Sequence, residues 1–313
     1  MEIYPIAAKN AAKKIRKAVV TGGAGFIGSN LANFLASNGV ETTVIDDLSF
    51  GRAENVSKNV NLVRKDVSEI EDADIKGADA VFHEAGVSSV TLCMAQPERT
   101  VHSNIGAFAN LARICEHHGT RLVYASTSSI YNGIEPPHRE DMHLHFKTIY
   151  EIAKFATESI SRYYPGAIGL RYFSVYGPNE THKKECANLV TQFLWSIKKG
   201  ENPVIYGDGK QRRDFTHVYD IVTANVLAAT ADISKFDERV FNAGTGVATS
   251  LNELVTKENK ILGTQVPAKY IQNPLGGNYV QAVQADTTLS KLRLGFSSTI
   301  DLDAGLAQIS KAY

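Results

Sequence analysis

A glycine-rich turn near the start of the chain, Gly23-Ala24-Gly25-Phe26-Ile27-Gly28, constrains the fold more than any other feature. An apolar run precedes it, and a segment with apolar residues at helical spacing follows. Glycines let the backbone turn tightly and approach a pyrophosphate, and the N-terminus of the next helix offers free N–H groups to the anion. A second apolar run ends at Asp46, 18 residues beyond Gly28, where a dinucleotide site places an acid for ribose hydroxyls. The pattern predicts a dinucleotide-binding unit.

Short apolar runs alternate with helix-length segments through the first half of the chain. The predicted strands cover residues 18–21, 41–46, 60–64, 80–83, 121–125 and 169–172, and the predicted helices cover 27–37, 105–117 and 150–163. Mostly apolar strands are typical of a parallel sheet that is buried on both faces. The alternation predicts an α/β fold with a doubly wound parallel sheet. After residue 172 the elements become shorter and turn signals are more frequent.

Composition excludes several classes of protein. Lys plus Arg and Asp plus Glu both number 33, so the chain lacks the basic excess that binds nucleic acid. Three widely spaced cysteines are neither a disulfide framework nor a zinc pattern, and we expect a cytoplasmic protein. No apolar stretch is long enough to cross a membrane. Residues 1–17 are basic and read as an N-terminal extension, a short tail or helix outside the core.

Several motifs together resemble one known superfamily. TGGAGFIGS, Asp46, Asn104, the pair Tyr150 and Lys154, and the run Arg171-Tyr172-Phe173 are similar to those of the extended short-chain dehydrogenase/reductases. The closest resemblance is to nucleotide-sugar epimerases of the UDP-galactose 4-epimerase type, from about residue 17 to the C-terminus. It implies a Rossmann domain of residues 18–172 and 214–246, and a smaller C-terminal α/β substrate domain of residues 173–213 and 247–313.

The resemblance also implies which residues bind the cofactor and the substrate. The cofactor is expected to be NAD, held by Gly22, Gly25, Phe26, Ile27, Gly28, Asp46, Asp66, Val67, Ala85, Gly86, Asn104, Tyr150 and Lys154. The substrate is expected to be a UDP-sugar, held by Ser88, Thr127, Ser174, Asn188, Leu189, Val204, Tyr206, Arg213 and Val283. The family further implies a homodimer that pairs through the helices near residues 105–117 and 150–163.

Tyr150 and Lys154 are the expected catalytic pair, with Thr127 as the third member. Their spacing places both side chains on one face of a helix. A free tyrosine has a pKa near 10, and the lysine ammonium together with a cationic nicotinamide ring favours the phenolate. A pKa of about 7 requires a shift of roughly 3 units, or about 4 kcal/mol. The phenolate then removes a sugar hydroxyl proton while the C–H hydride leaves to NAD.

At the substrate end, Arg213 resembles the family's diphosphate-binding arginine, and its guanidinium fork suits a phosphate. Two positions depart from the family pattern. Ser174 stands where the family often has asparagine, and residues 274–278 lack a second arginine. Val283 falls where some members carry a tyrosine, and the smaller side chain predicts acceptance of UDP-N-acetylhexosamines.

Two alternatives to a C4 epimerase stay open from the sequence. One is a 4,6-dehydratase or a decarboxylase on the same scaffold, but those families carry an acid after the hydroxyl residue, where this chain has Ser128 and Ser129. The other is a non-catalytic NAD-binding regulator, which the intact Thr127, Tyr150 and Lys154 disfavour. A metal site is not expected, because the histidines of the segment PPHREDMHLH read as part of a solvated loop.

Overall fold

The computed structural model describes residues 4–273 and 280–313, and seven of its strands form one parallel sheet. These strands are β1 (Lys17–Thr21), β2 (Glu41–Asp46), β3 (Asn61–Arg64), β4 (Ala80–His83), β5 (Arg121–Thr127), β6 (Ala167–Tyr172) and β9 (Val240–Ala243). Their order across the sheet is β3-β2-β1-β4-β5-β6-β9. Every residue of β4 and β6 is buried, as expected for strands covered on both faces. The predicted doubly wound α/β fold is confirmed.

Helices cover both faces of this sheet and continue into the second half of the chain. They are α1 (Ile6–Ala12), α2 (Phe26–Ser37), α3 (Asp72–Ile75), α4 (Val90–Ala95), α5 (Pro97–Thr100), α6 (Ala107–His117), α7 (Ile149–Ser161), α8 (Leu189–Lys198), α9 (Val218–Thr230), α10 (Leu251–Leu262), α11 (Thr288–Leu294) and α12 (Leu302–Ala312). A π-helical turn, Val101–Gly106, runs directly into α6. No helix among residues 4–273 and 280–313 is long and apolar enough to cross a membrane.

Helix α7 carries the predicted catalytic pair, and its start is fixed by a capping box. The Thr148 side chain accepts a hydrogen bond from the Glu151 backbone, and the Glu151 carboxylate accepts one from the Thr148 backbone. This reciprocal pair satisfies N–H groups that a helix start leaves without partners. Because the box lies one turn before Lys154, it sets where the reactive face of α7 begins.

The second half of the chain builds a smaller apolar cluster of its own. Helices α8, α10 and α12 pack together around Val190, Leu194, Leu254, Leu306 and Ile309. Two short pairings accompany them: β7 (Val204–Tyr206) lies parallel to β11 (Lys269–Ile271), and β8 (Arg212–Arg213) lies antiparallel to β10 (Thr249–Ser250). The two-domain division of the chain stays a prediction.

Two sequence-based expectations are wrong. The segment before β1 does not lie outside the core, because α1 buries Ala8, Ala11 and Ala12 in the cluster that holds α2 and α9. Small alanine side chains let α1 approach α9 closely. In the sequence, the lysines around these alanines obscure the apolar face of the helix. His138 does not belong to a solvated loop: it is fully buried, and its ring stacks on Tyr131.

One sheet strand was not predicted at all. Strand β9 pairs in parallel with β6 and completes the sheet at that edge. It is four residues long and follows an irregular stretch of chain. A strand this short shows too little alternation of apolar and polar residues to be told from a loop.

Candidate functional site

A cleft of about 630 Å³ opens at the carboxyl ends of the central strands. Strand order reverses between β1 and β4, and ligands of doubly wound sheets bind at such a switch point. The cleft brings together most of the predicted cofactor residues: Gly22, Gly25, Phe26, Ile27, Gly28, Asp46, Asp66, Val67, Ala85, Gly86, Tyr150 and Lys154. These residues come from the ends of strands β1 to β4 and from helix α7, and they line one cavity.

The glycine turn fits a pyrophosphate for steric reasons. Gly22 has φ +66°, and a Cβ there would lie 2.5 Å from the Ala85 nitrogen. A Cβ on Gly28 would overlap the Gly22 carbonyl oxygen. Gly25 is the N-cap of α2 and provides no side-chain cap, so the first N–H groups of the helix point to the cleft without a side-chain acceptor. An anion at this helix start satisfies them.

Asp46 ends β2 as a buried carboxylate held by the backbone. Its Oδ2 accepts from the Ala24 nitrogen at 2.9 Å, and its Oδ1 accepts from the Leu48 nitrogen at 2.8 Å. Burial raises its pKa, and these two bonds oppose that rise. A carboxylate oriented in this way accepts hydrogen bonds from ribose hydroxyls and repels a phosphate placed on them.

Asn104 does not line the cleft, but it fixes a loop that does. Its Oδ1 accepts from the Val87 nitrogen at 2.8 Å, and its Nδ2 donates to the Val87 oxygen at 3.0 Å. This two-way bond holds the turn of Ala85 and Gly86, whose backbone faces the glycine turn. Asn104 therefore stabilises the loop of Ala85 and Gly86 that lines the cleft.

The three expected catalytic side chains meet in the cleft. Thr127, Tyr150 and Lys154 all line the cleft, and the Lys154 Nζ donates to the Ala125 oxygen at 2.8 Å. Burial raises the pKa of Tyr150 to about 12, while the neighbouring Thr127 hydroxyl opposes this rise. Burial also lowers the pKa of Lys154, although the Glu84 carboxylate opposes this. The protein groups alone thus keep Tyr150 protonated, and a phenolate needs further positive charge.

A buried ion pair fixes α7 to the sheet beneath these residues. The Arg171 guanidinium on β6 donates to both carboxylate oxygens of Glu158, at 2.7 and 2.9 Å, and both side chains are less than 5% exposed. Ser126 donates to the same carboxylate, and Arg171 also donates to the Tyr131 hydroxyl at 2.6 Å. Because each partner is satisfied, the network holds the helix face one turn beyond Lys154 in a single arrangement.

Sequence analysis missed an acid in the cleft, Glu84. Its Oε1 accepts from the Tyr172 hydroxyl at 2.7 Å, and that hydroxyl accepts from Asn225 at 2.8 Å. Burial raises the pKa of Glu84 to about 7, whereas burial lowers that of the adjacent His83 to about 3. A lone acid directly after a buried parallel strand was the signal that could have identified it, because such strand ends meet at the ligand site.

The predicted substrate residues divide into two groups. Ser88, Thr127, Ser174 and Asn188 line the cleft, whereas Leu189, Val204, Tyr206, Arg213 and Val283 do not line its described part. Arg213 donates to the backbone oxygens of Arg212 at 2.9 Å and Val280 at 2.6 Å. Val283 is buried in a small cluster with Ile130 and Phe173. The departure from the family pattern at 274–278 lies outside the described residues.

In the described ranges, 4–273 and 280–313, no group of three or more His, Cys, Asp or Glu side chains is arranged to hold a metal ion.

Comparison with known proteins places this arrangement in a family. Residues 18–244 match the NAD dependent epimerase/dehydratase family. A putative UDP-glucose 4-epimerase of Methanocaldococcus jannaschii is 29% identical over 93% of this chain and 96% of its own. An ADP-L-glycero-D-manno-heptose-6-epimerase of Brachyspira hyodysenteriae is 32% identical over 88% and 90%. A UDP-N-acetyl-alpha-D-glucosaminuronate decarboxylase of Bacillus cytotoxicus is 27% identical over 94% and 96%.

Solved structures agree in fold. The UDP-glucose 4-epimerase of Thermotoga maritima with UDP-glucose is 31% identical, with a TM-score of 0.85 over 94% of this chain and 97% of that one. The UDP-N-acetylglucosamine 4-epimerase of Methanobrevibacter ruminantium is 29% identical, with a TM-score of 0.87 over 95% and 97%. The expected superfamily and the expected cofactor are confirmed. The chain belongs to the NAD dependent epimerase/dehydratase family, and it is an enzyme whose cofactor is NAD.

Proposed function

We propose that this enzyme inverts C4 of a UDP-hexose, interconverting UDP-glucose and UDP-galactose. The observation that carries the proposal is that Thr127, Tyr150 and Lys154 line one cleft together with the glycine turn. Similarity to proteins named UDP-sugar 4-epimerases supports the choice of substrate class.

Tyr150 acts as the acid–base group of the proposed reaction. Bound NAD would supply the reversible hydride acceptor that oxidation and reduction at C4 of the sugar require. Thr127 orients the C4 hydroxyl, and Tyr150 takes its proton as the C4 carbonyl forms and gives it back as the alcohol is restored. Burial raises the pKa of Tyr150 to about 12. The Lys154 ammonium, four residues along α7, and the cationic nicotinamide ring would together favour the phenolate. The glycine turn, Asp46 and the loop that Asn104 supports hold the cofactor.

Other members of the family eliminate water or carbon dioxide, and a decarboxylase is among the relatives. The run after Thr127 argues against both reactions here. Ser128 and Ser129 line the cleft where the dehydratase and decarboxylase patterns carry an acid, so no carboxyl at that position can serve as the acid of either reaction.

Product analysis tests the proposal. Purified enzyme is incubated with UDP-glucose, UDP-galactose, UDP-N-acetylglucosamine and UDP-glucuronate, and the products are identified by NMR. We expect each hexose to give its C4 epimer. A 4-keto-6-deoxy sugar or UDP-xylose as the main product would overturn the proposal.

The acetylated sugar tests whether the enzyme accepts UDP-N-acetylhexosamines as well as unsubstituted UDP-hexoses. We predict that UDP-N-acetylglucosamine is accepted beside UDP-glucose, and kcat/KM for the two sugars measures this directly. Val283 motivates the prediction, but it packs against Ile130 and Phe173, so tyrosine there overfills a buried cluster. The wild-type ratio is therefore the cleaner readout, and no turnover of the acetylated sugar contradicts the prediction.

We also propose that the enzyme is cytoplasmic and works as a homodimer. Cys93 and Cys115 are buried free thiols, and Cys186 is an exposed one, which suits a reducing compartment.

A further inference from the structure

Glu84 is an acid in the cleft that the proposed reaction does not use. It directly follows β4, it lines the cleft next to Ala85, and its backbone nitrogen donates to the Thr21 oxygen at 3.0 Å. The Tyr172 hydroxyl, at the end of β6, donates to its Oε1 at 2.7 Å, and Asn225 donates to that hydroxyl. The side chain is thus held at a defined place between two strand ends.

The charged and titratable groups that face Glu84 come from three elements. Lys154 on α7 brings a positive charge that acts on the Glu84 carboxylate. Tyr172 on β6 stays neutral, because burial raises its pKa well above the ordinary value. His83 on β4 stays neutral, because burial lowers its pKa to about 3. Other acids of the cleft lining are Asp46, Asp47, Asp66 and Glu185.

One anion and one cation, each acting electrostatically on the other, therefore line the same cleft as the proposed acid–base group. An ammonium in a poorly hydrated cleft repels a cationic ring, and a carboxylate in the same cleft offsets part of that repulsion. The oxidised nicotinamide ring is cationic, and the reduced ring is neutral. A charged Glu84 therefore acts on one redox form of the cofactor and not on the other.

We propose that Glu84 is a positioning residue that makes the cleft prefer oxidised over reduced NAD. The preference suits an enzyme that must return to the sugar every hydride it removes, since a cofactor left reduced cannot start the next turnover. The proposal rests on NAD as the cofactor and is independent of which sugar is used.

The ratio of two dissociation constants tests this. Nucleotide-free protein is titrated with NAD⁺ and with NADH by calorimetry at about pH 8.5, for wild type and Glu84→Gln. The glutamine oxygen still accepts from Tyr172, so the variant removes charge and keeps the contact. We expect Kd(NADH)/Kd(NAD⁺) to fall by about tenfold in the variant, the size expected of one charge at partly screened distance.

Lower pH provides a test that needs no variant. Because burial raises the pKa of Glu84 to about 7, the wild-type ratio falls toward that of Glu84→Gln at about pH 5.5, while the ratio of the variant stays constant. Glu258→Gln, which makes the same substitution at a buried glutamate outside the cleft, is the matched control and leaves the ratio unchanged.

An unchanged ratio in Glu84→Gln at high pH, or an equal pH dependence in wild type and variant, overturns the proposal. Loss of binding of both nucleotides in wild type overturns the cofactor assignment itself, so the two failures differ. Tyr172→Phe separates charge from placement: it keeps the carboxylate, and we expect a smaller change in the ratio than in Glu84→Gln.

Discussion

At the scale of single residues, the proposed chemistry depends on the pKa of Tyr150, which burial raises and nearby positive charge lowers. Tyr150 is buried and has a pKa of about 12, so its use as a base depends on cations brought close to it. Lys154 is one such cation, and Glu84 in turn acts on Lys154. The glycines, Asp46, Tyr150 and Lys154 were predictable, because each sits in a motif with local spacing. The place of Glu84 directly after a buried strand indicates a residue of the cleft, but its contacts were not predictable, because its partners Tyr172 and Asn225 are far away in sequence.

Tyr150→Phe should lower turnover by at least about 100-fold, the low end of what a general acid–base group contributes. Binding of NAD should survive, because the ring still packs against Val87 and Cys93. The measurement is kcat together with the NAD content of the purified variant. Tyr163→Phe, at a highly exposed tyrosine, is the control. A variant that stays within about threefold of wild type would remove Tyr150 from its assigned role.

At the scale of elements, strong local signals were predictable and packing-dependent features were not. Strands β1, β2 and β4, and helices α2 and α7, lie within a few residues of their predicted places, since each has a clear apolar pattern. Strand β9 and the buried face of α1 became evident only in the fold, because each is short and its burial is determined by β6 or α9.

Helix α10 carries a buried acid, Glu258, whose ionisation predicts a pH-dependent loss of stability. Glu258 is fully buried. Within the described residues, 4–273 and 280–313, neither of its carboxylate oxygens has a hydrogen-bond partner. Burial raises its pKa well above the ordinary value, so the folded state holds a proton that the unfolded state releases at about pH 4.3. The free energy of unfolding therefore falls as pH rises above that value.

Glu258→Gln should raise the free energy of unfolding by at least about 1 kcal/mol at neutral pH, and the gain should shrink towards pH 4. Glutamine keeps the shape of the side chain and leaves its polar amide equally without a partner. The difference in the free energy of unfolding between the two proteins therefore reports the ionisation of the Glu258 carboxyl. Urea unfolding of both proteins across this pH range measures it. A gain that is the same at every pH would show that charge is not the cause.

At the scale of the whole molecule, one face is suited to a second copy of the chain. The neighbouring elements α4, the π-helical turn and α7 expose Met94 at 64%, Val101 at 47% and Ile152 at 51%. Large apolar side chains grouped on adjacent helices are typical of an interface. The sequence resemblance implied a homodimer through the helices near residues 105–117 and 150–163. The exposed apolar residues of this face lie on α7, but also on α4 and on the π-helical turn before α6, which only the fold brings together.

Met94→Glu combined with Val101→Glu should convert the dimer to a monomer, because two carboxylates would be buried without partners. Light scattering after size exclusion gives the mass. Leu292→Glu, at an exposed apolar residue on α11, should leave the dimer intact. A wild-type protein that is monomeric at micromolar concentration contradicts the proposed assembly.

In the proposed reaction, the hydrogen that leaves C4 returns to C4 without exchange with solvent. UDP-galactose labelled with deuterium at C4 is incubated with the enzyme in ordinary water, and the product is examined by NMR and mass spectrometry. We expect UDP-glucose that retains the deuterium at C4. Product that has lost the label to solvent, or label that stays in unconverted substrate, would contradict it.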